Sequence, residues 1–72
     1  MRLAYYPETD SLYTELKNDP SVDSQEVKPG VVLDFDASGD LVRLDIQHAS
    51  AAVDLSRLEI EALPVTSVGL VA

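Results

Sequence analysis

Residues 31–48, VVLDFDASGDLVRLDIQH, decide the fold. Val31, Leu33 and Phe35 alternate with Val32, Asp34 and Asp36, and Val42, Leu44 and Ile46 alternate with Arg43, Asp45 and Gln47. A period of two gives each run one apolar face, the signature of a half-buried strand, and Ala37, Ser38, Gly39 and Asp40 supply the turn between them. The expected register sets Phe35 against Val42, Leu33 against Leu44 and Val31 against Ile46. It also sets Asp34 against Arg43, a favourable cross-strand charge pair on the opposite face. A slip by one residue would bury the charges.

Upstream, Pro29-Gly30 fits the centre of a type II turn, with Pro fixing φ first and Gly accepting positive φ second. Ser24 to Lys28 reads as a short strand entering it, and residues 18–23, NDPSVD, as a polar connection. Further upstream the hairpin plan is repeated. Leu3 and Tyr5 alternate with Arg2, Ala4 and Tyr6, Pro7 to Asp10 carry turn chemistry, and Leu12, Thr14 and Leu16 alternate with Tyr13 and Glu15. Pairing Tyr5 with Leu12 puts Arg2 opposite Glu15. The two hairpins align at a constant offset: Leu3 with Leu33, Tyr5 with Phe35, Asp10 with Asp40, Leu12 with Val42, Leu16 with Ile46. Convergence on one loop length is the favoured explanation of that alignment, and an ancestral duplication is the alternative.

The predicted fold is therefore sheet-rich α+β: an antiparallel β-meander of about five short strands, two hairpins plus a connecting strand, with a short C-terminal helix. Leu3, Tyr5, Leu12, Leu16, Leu33, Phe35, Leu44 and Ile46 share a face that needs a cover. The segment after His48 is the expected cover, as a helix or helical turn within Ser50 to Arg57 and an extended piece from Leu58 to Leu63. Ser50 or Asp54 is a candidate helix cap, and Ser56 with Glu59 has capping-box spacing. Residues 1–64 make one domain. Residues 65–72 are a tail, either disordered or added as an edge strand.

A chain of 72 residues has a thin core, and without cysteine no disulfide braces it. Stability must come from sheet packing or a second copy, so a homodimer is expected. Thirteen acidic against five basic residues, a net charge of −8, argue against direct nucleic-acid binding and leave a small basic protein as a plausible partner, the plainer reading of the charge being solubility. The start lacks a signal-peptide core and no apolar run reaches the roughly 18 residues of a membrane helix, so a cytoplasmic protein without a membrane partner is expected.

LAYYPETDSLYTEL, EVKPGVVLDFDASGDLVRLDIQHAS and VDLSRLEIEALP together resemble the family catalogued as domain of unknown function 2283, short prokaryotic proteins, from Leu3 to about Pro64. Tyr6, Pro7, Glu8, Asp10, Leu12 and Tyr13 carry the first motif, and Gly30, Val31, Leu33, Asp34, Asp36 and Gly39 the second. The resemblance implies a small sheet-rich α+β fold. It brings no catalytic residue, and through members that look like partners of small toxin-like proteins it suggests an antitoxin role.

Residues 34–45 fit much of the calcium-loop template, with oxygen ligands at positions one, three and five, Gly at six and a carboxylate at twelve. The template needs flanking helices, whereas these flanks alternate with period two. Asp36, Ser38 and Asp40, with Asp34, remain a candidate site for a weakly held divalent ion at the turn. Asp34 and Asp36 would also form a shared acidic site with Glu8 and Asp10 if the two hairpin tips sat side by side. The single His48 has no partner set for zinc or a triad and reads as a boundary residue. Tyr6 and Tyr13, outward on the first hairpin, are candidate interface residues. The expected function is a non-enzymatic protein–protein interaction module without a cofactor, possible antitoxin-like binding of a small basic partner being its sharpest form; the alternative is a weak divalent-ion-binding domain.

Overall fold

A computed structural model describes residues 1–71; Ala72, the last position of the predicted tail, lies outside the described residues. Strands β1 (Arg2–Tyr6), β2 (Ser11–Glu15), β3 (Asp23–Lys28), β4 (Val31–Phe35) and β5 (Leu41–Ile46) precede one short helix, α1 (Ala49–Ala52). All pairings are antiparallel and form one sheet. The sheet-rich α+β class read from the alternation is the observed one.

The strand order is β1-β2-β5-β4-β3. Each tight connection makes a sequential pair, and the long connection between β2 and β3 carries the chain past β5 and β4 to the far edge. This leaves β2 and β5 as neighbours, with Leu12 opposite Ile46 and Thr14 opposite Leu44. The two similar hairpins therefore lie back to back about the β2–β5 seam, related by an approximate two-fold axis. One asymmetry remains: β3 covers the outer edge of β4, whereas among the described residues no strand lies beside the outer edge of β1.

The first hairpin has the expected register, Arg2 opposite Glu15 and Tyr5 opposite Leu12. In the second, Val31 faces Ile46, Leu33 faces Leu44 and Asp34 faces Arg43, but Phe35 faces Leu41 instead of Val42. Val42 is the extra residue of a β-bulge, which alternation alone does not reveal. Its side chain is fully buried, 0 % exposed, and with Ala49 it makes up the fully buried apolar set among the described residues. Gly30 has φ 84°, as the turn at Pro29-Gly30 requires.

The cover is shorter than expected. Helix α1 begins at Ala49 and stops at Ala52, because Asp54 draws the next turn to itself by accepting from Ser56 N (3.0 Å) and Ser56 Oγ (2.5 Å). Ser56 is thus spent on Asp54 and makes no capping box with Glu59. Residues 53–71 form neither helix nor strand, so the extended piece from Leu58 to Leu63 pairs with nothing in the sheet. Val53, Leu55 and Leu58 reach back over Leu3 and Leu12, leaving a cavity of about 270 Å³ between this arm and the sheet. The accessible surface is 5672 Å², against roughly 4,400 Å² for a compact monomer of this mass. Much of the difference is an arm that packs loosely. Among the described residues no helix is long and apolar enough to cross a membrane.

Candidate functional site

Because β2 and β5 run antiparallel side by side, the two hairpin tips project from opposite ends of the sheet. That separates Glu8 and Asp10 from Asp34 and Asp36 and removes the shared acidic site. The same geometry has a second effect. The chain leaving β2 arrives at the β4–β5 turn, and the chain leaving β5 arrives at the β1–β2 turn. Each tip is fastened there by aspartate.

At the β4–β5 tip, Asp36 is only 9 % exposed. Its Oδ1 accepts from the backbone N–H of Ser38 (2.9 Å) and of Asp40 (3.0 Å), closing the turn from within. Its Oδ2 lies 2.9 Å from the ammonium of Lys17, the second residue beyond β2. Lys17 Nζ also meets Asp40 Oδ2 at 3.1 Å and Asp19 Oδ2 at 3.2 Å. The Lys17 ammonium, and then the turn amides, hold the Asp36 carboxyl below its ordinary range. In return Asp36 first, then Asp40 and Asp19, raise the Lys17 pKa.

The candidate ion ligands are thus divided. Asp36, Ser38 and Asp40 are brought together at the turn, with Ser38 engaged through its backbone N–H. Asp34 stays on β4, accepting from Ser24 Oγ (2.5 Å) and pairing with Arg43 Nε (3.6 Å). A lysine ammonium occupies the place among the carboxylates that a cation would take. Among the described residues no group of three carboxylate or histidine side chains is arranged to hold a metal.

At the β1–β2 tip, Asp10 adopts φ 52° and accepts Tyr5 Oη–H (2.7 Å), Ser50 Oγ–H (2.7 Å) and Ser50 N–H (3.2 Å). Its carbonyl accepts Ala49 N–H at 2.8 Å. Asp10 therefore satisfies the donors at the start of α1 from a different part of the chain, which the helix's own N-cap, His48, does not do. The Tyr5 hydroxyl, then Ser50, lower the Asp10 pKa, and the bond to Asp10 raises that of Tyr5. His48 is exposed at φ 52° and serves as the hinge between β5 and α1.

Tyr6 is exposed, as an interface residue must be, whereas Tyr13 is half-buried, with the Arg2 guanidinium 5.8 Å over its ring and Arg2 also 3.6 Å from Glu15. Sequence reasoning missed Lys17 and Asp19, and it read Ser50 as a helix cap and not as the partner of Asp10. The signal that finds them is the hairpin repeat itself: once the hairpins pack back to back, whatever follows one hairpin must meet the tip of the other.

A family model described as protein of unknown function, DUF2283, matches residues 2–50. The matched span holds all five strands and ends at Ser50, the residue Asp10 grips, so it stops short of the Pro64 boundary expected from the sequence and leaves the arm outside. No curated protein and no solved structure matches the chain. The chain belongs to the DUF2283 family of proteins of unknown function.

Proposed function

We propose that this protein is a non-enzymatic, cytoplasmic interaction module whose C-terminal arm closes on a small basic partner, in the manner of an antitoxin. The observation that carries the reading is the arm. Leu58 is 68 % exposed and Leu70 96 %, and Ile60, Leu63, Val65 and Val68 are exposed between them. A free chain gains little by presenting such a series of apolar side chains, and a partner that covered them would add the burial that this small core lacks. The surface beyond the compact-monomer value, roughly 1,300 Å², exceeds the roughly 800 Å² per side of a standard protein interface. The charge of −8 selects a basic partner and hastens its encounter.

The test is capture of tagged protein from its native cells at low salt, washed with rising salt, beside the substitutions Leu58→Asp and Ile60→Asp. One small basic protein recovered in equal amount, leaving at high salt and absent from the substituted arm, is the expected result. Recovery of the protein alone, or of a partner indifferent to both substitutions, overturns the reading.

A further inference from the structure

The two edges of the sheet are unlike. Edge strand β3, DSQEVK, carries three charges and a bulge between Glu26 and Lys28, both of which discourage pairing with another strand. Edge strand β1, RLAYY, carries one charge and no bulge. It also occupies the position that, in the other hairpin, belongs to β4, whose edge β3 covers. The fold repeats a hairpin and covers only one of the two equivalent edges.

Hydrogen-bond parity shows what β1 offers there. Leu16 N–H donates to Val42 C=O (2.8 Å), so even-numbered residues of β2 bond to β5 and odd-numbered ones face β1. Gln47 N–H donating to Gly30 C=O (2.7 Å) gives the complementary parity for β5. Ser11, Tyr13 and Glu15 therefore bond to Tyr6, Ala4 and Arg2. The N–H and C=O groups of Leu3 and Tyr5 point outward, away from β2.

We infer that this edge pairs with the β1 edge of a second copy, antiparallel about a two-fold axis through Ala4. The strand is self-complementary in that register. Leu3 meets Tyr5 of the second copy twice, and each such pair exchanges both of its outward backbone hydrogen bonds. Their side chains extend the apolar face that the arm partly covers. On the opposite face Arg2 meets Tyr6 of the second copy, a cation–aromatic pair, while Ala4 meets Ala4 where closely spaced strands need a small residue. The product is one continuous sheet of ten strands, five from each copy, ending at two charged and bulged β3 edges. Growth stops at the dimer. The pairing groups are the backbone N–H and C=O groups of β1 and not side chains of the arm, so the inference stands or falls apart from the proposed partner.

Position 4 tests it, because its side chain sits on the axis and its own N–H is already used within the chain. Ala4→Glu places like charges face to face and weakens the dimer roughly a hundredfold. Ala4→Lys does the same. Mixing the two variants restores a dimer of native strength, which misfolded chains would not do. Sedimentation equilibrium reads the mass, and hydrogen exchange at Leu3 and Tyr5 slows with concentration in the native protein. A native chain that stays monomeric when concentrated overturns the inference, as does an Ala4→Glu chain that dimerises unimpaired. So does a dimer lost on truncation after Pro64, which would assign the edge to the tail.

Discussion

The tips of the two hairpins occupy equivalent places at opposite ends of the β2–β5 seam, yet the β4–β5 tip is fastened by an ammonium and the β1–β2 tip by hydroxyl and amide donors. The same aspartate chemistry has been given two tasks. Around Asp36 the carboxylate both shapes its own turn and anchors the connection that leads to β3, so it belongs to the sheet. Around Asp10 the carboxylate accepts the Tyr5 hydroxyl of its own hairpin and also holds what comes after the sheet: α1 and, through it, the arm. One tip ties together two parts of the sheet, and the other also clasps the segment that follows it.

The largest expected difference lies in the core beneath the tips. Val42 is completely enclosed, while its equivalent in the first hairpin, Leu12, is only half-buried under the arm. Val42→Ala should cost about 2–3 kcal/mol, and Leu12→Ala, although it removes more atoms, about 1–2 kcal/mol. Chemical denaturation reads both. Equal losses would mean that the arm shields the first hairpin as well as the bulge and sheet shield Val42.

Next in size is the contrast between the aspartates. Asp36→Ala removes the acceptor for two turn amides and the best partner of Lys17, so the melting temperature of the whole domain falls. Asp10→Asn keeps a residue tolerant of positive φ but weakens the clasp. Hydrogen exchange should then quicken at Ala49 and Ser50 while the amides of β2 and β5 are unchanged. If Asp10→Asn loosened the sheet as much as Asp36→Ala, the arm would be part of the domain's cooperative unit.

Acid should expose the same division. Both carboxyls have folded pKa values below 3.8, the ordinary value, so each contributes stability that is fully present above that pH and is lost as pH falls through the folded value. Lys17 has the opposite sign: its contribution is present below 10.5 and lost only above it. Stability is therefore expected to hold between about pH 5 and 9 and to decline below pH 4. Asp36→Asn should flatten that decline in the global melt. Asp10→Asn should flatten it only in the exchange of the helix amides.

Most of the sheet was legible because alternation is a local signal, and Arg2, Asp34, Arg43 and Glu15 confirm register by pairing across strands as spacing requires. The bulge at Val42 was not, since an extra residue leaves the apolar period undisturbed on either side. The order of strands was not legible either, because the connection from Leu16 to Val22 is as compatible with a neighbouring β3 as with a distant one. From that one ambiguity follow the shared acidic site, which the strand order removes, and the neglect of Lys17. With β3 beside β2, Lys17 would have met no hairpin tip, and the aspartates of the second turn would have looked free to hold an ion. The helix was overestimated for a different reason: Asp54 and Ser56 satisfy each other locally, a choice that capping-box spacing does not exclude.

The smallest effect concerns Lys17, and it separates the ionic tip from an ion site. Its ammonium is partly exposed, so the individual pairs are screened, and Lys17→Met should lower the melting temperature by only a few degrees. What remains in that variant is Asp19, Asp36 and Asp40 facing one another without a cation. Their repulsion is relieved by salt, so the gap between native and variant melting temperatures should narrow as ionic strength rises. Calcium should narrow it further than a monovalent salt of the same ionic strength, while leaving the native protein where it was, because in the native chain lysine already supplies the charge. A native melting temperature that rises with calcium would place the ion at the tip despite the lysine. A gap that ignores both salts would mean that Lys17 holds the turn by packing its stem and not by its charge, and the two tips would then differ less than their chemistry suggests.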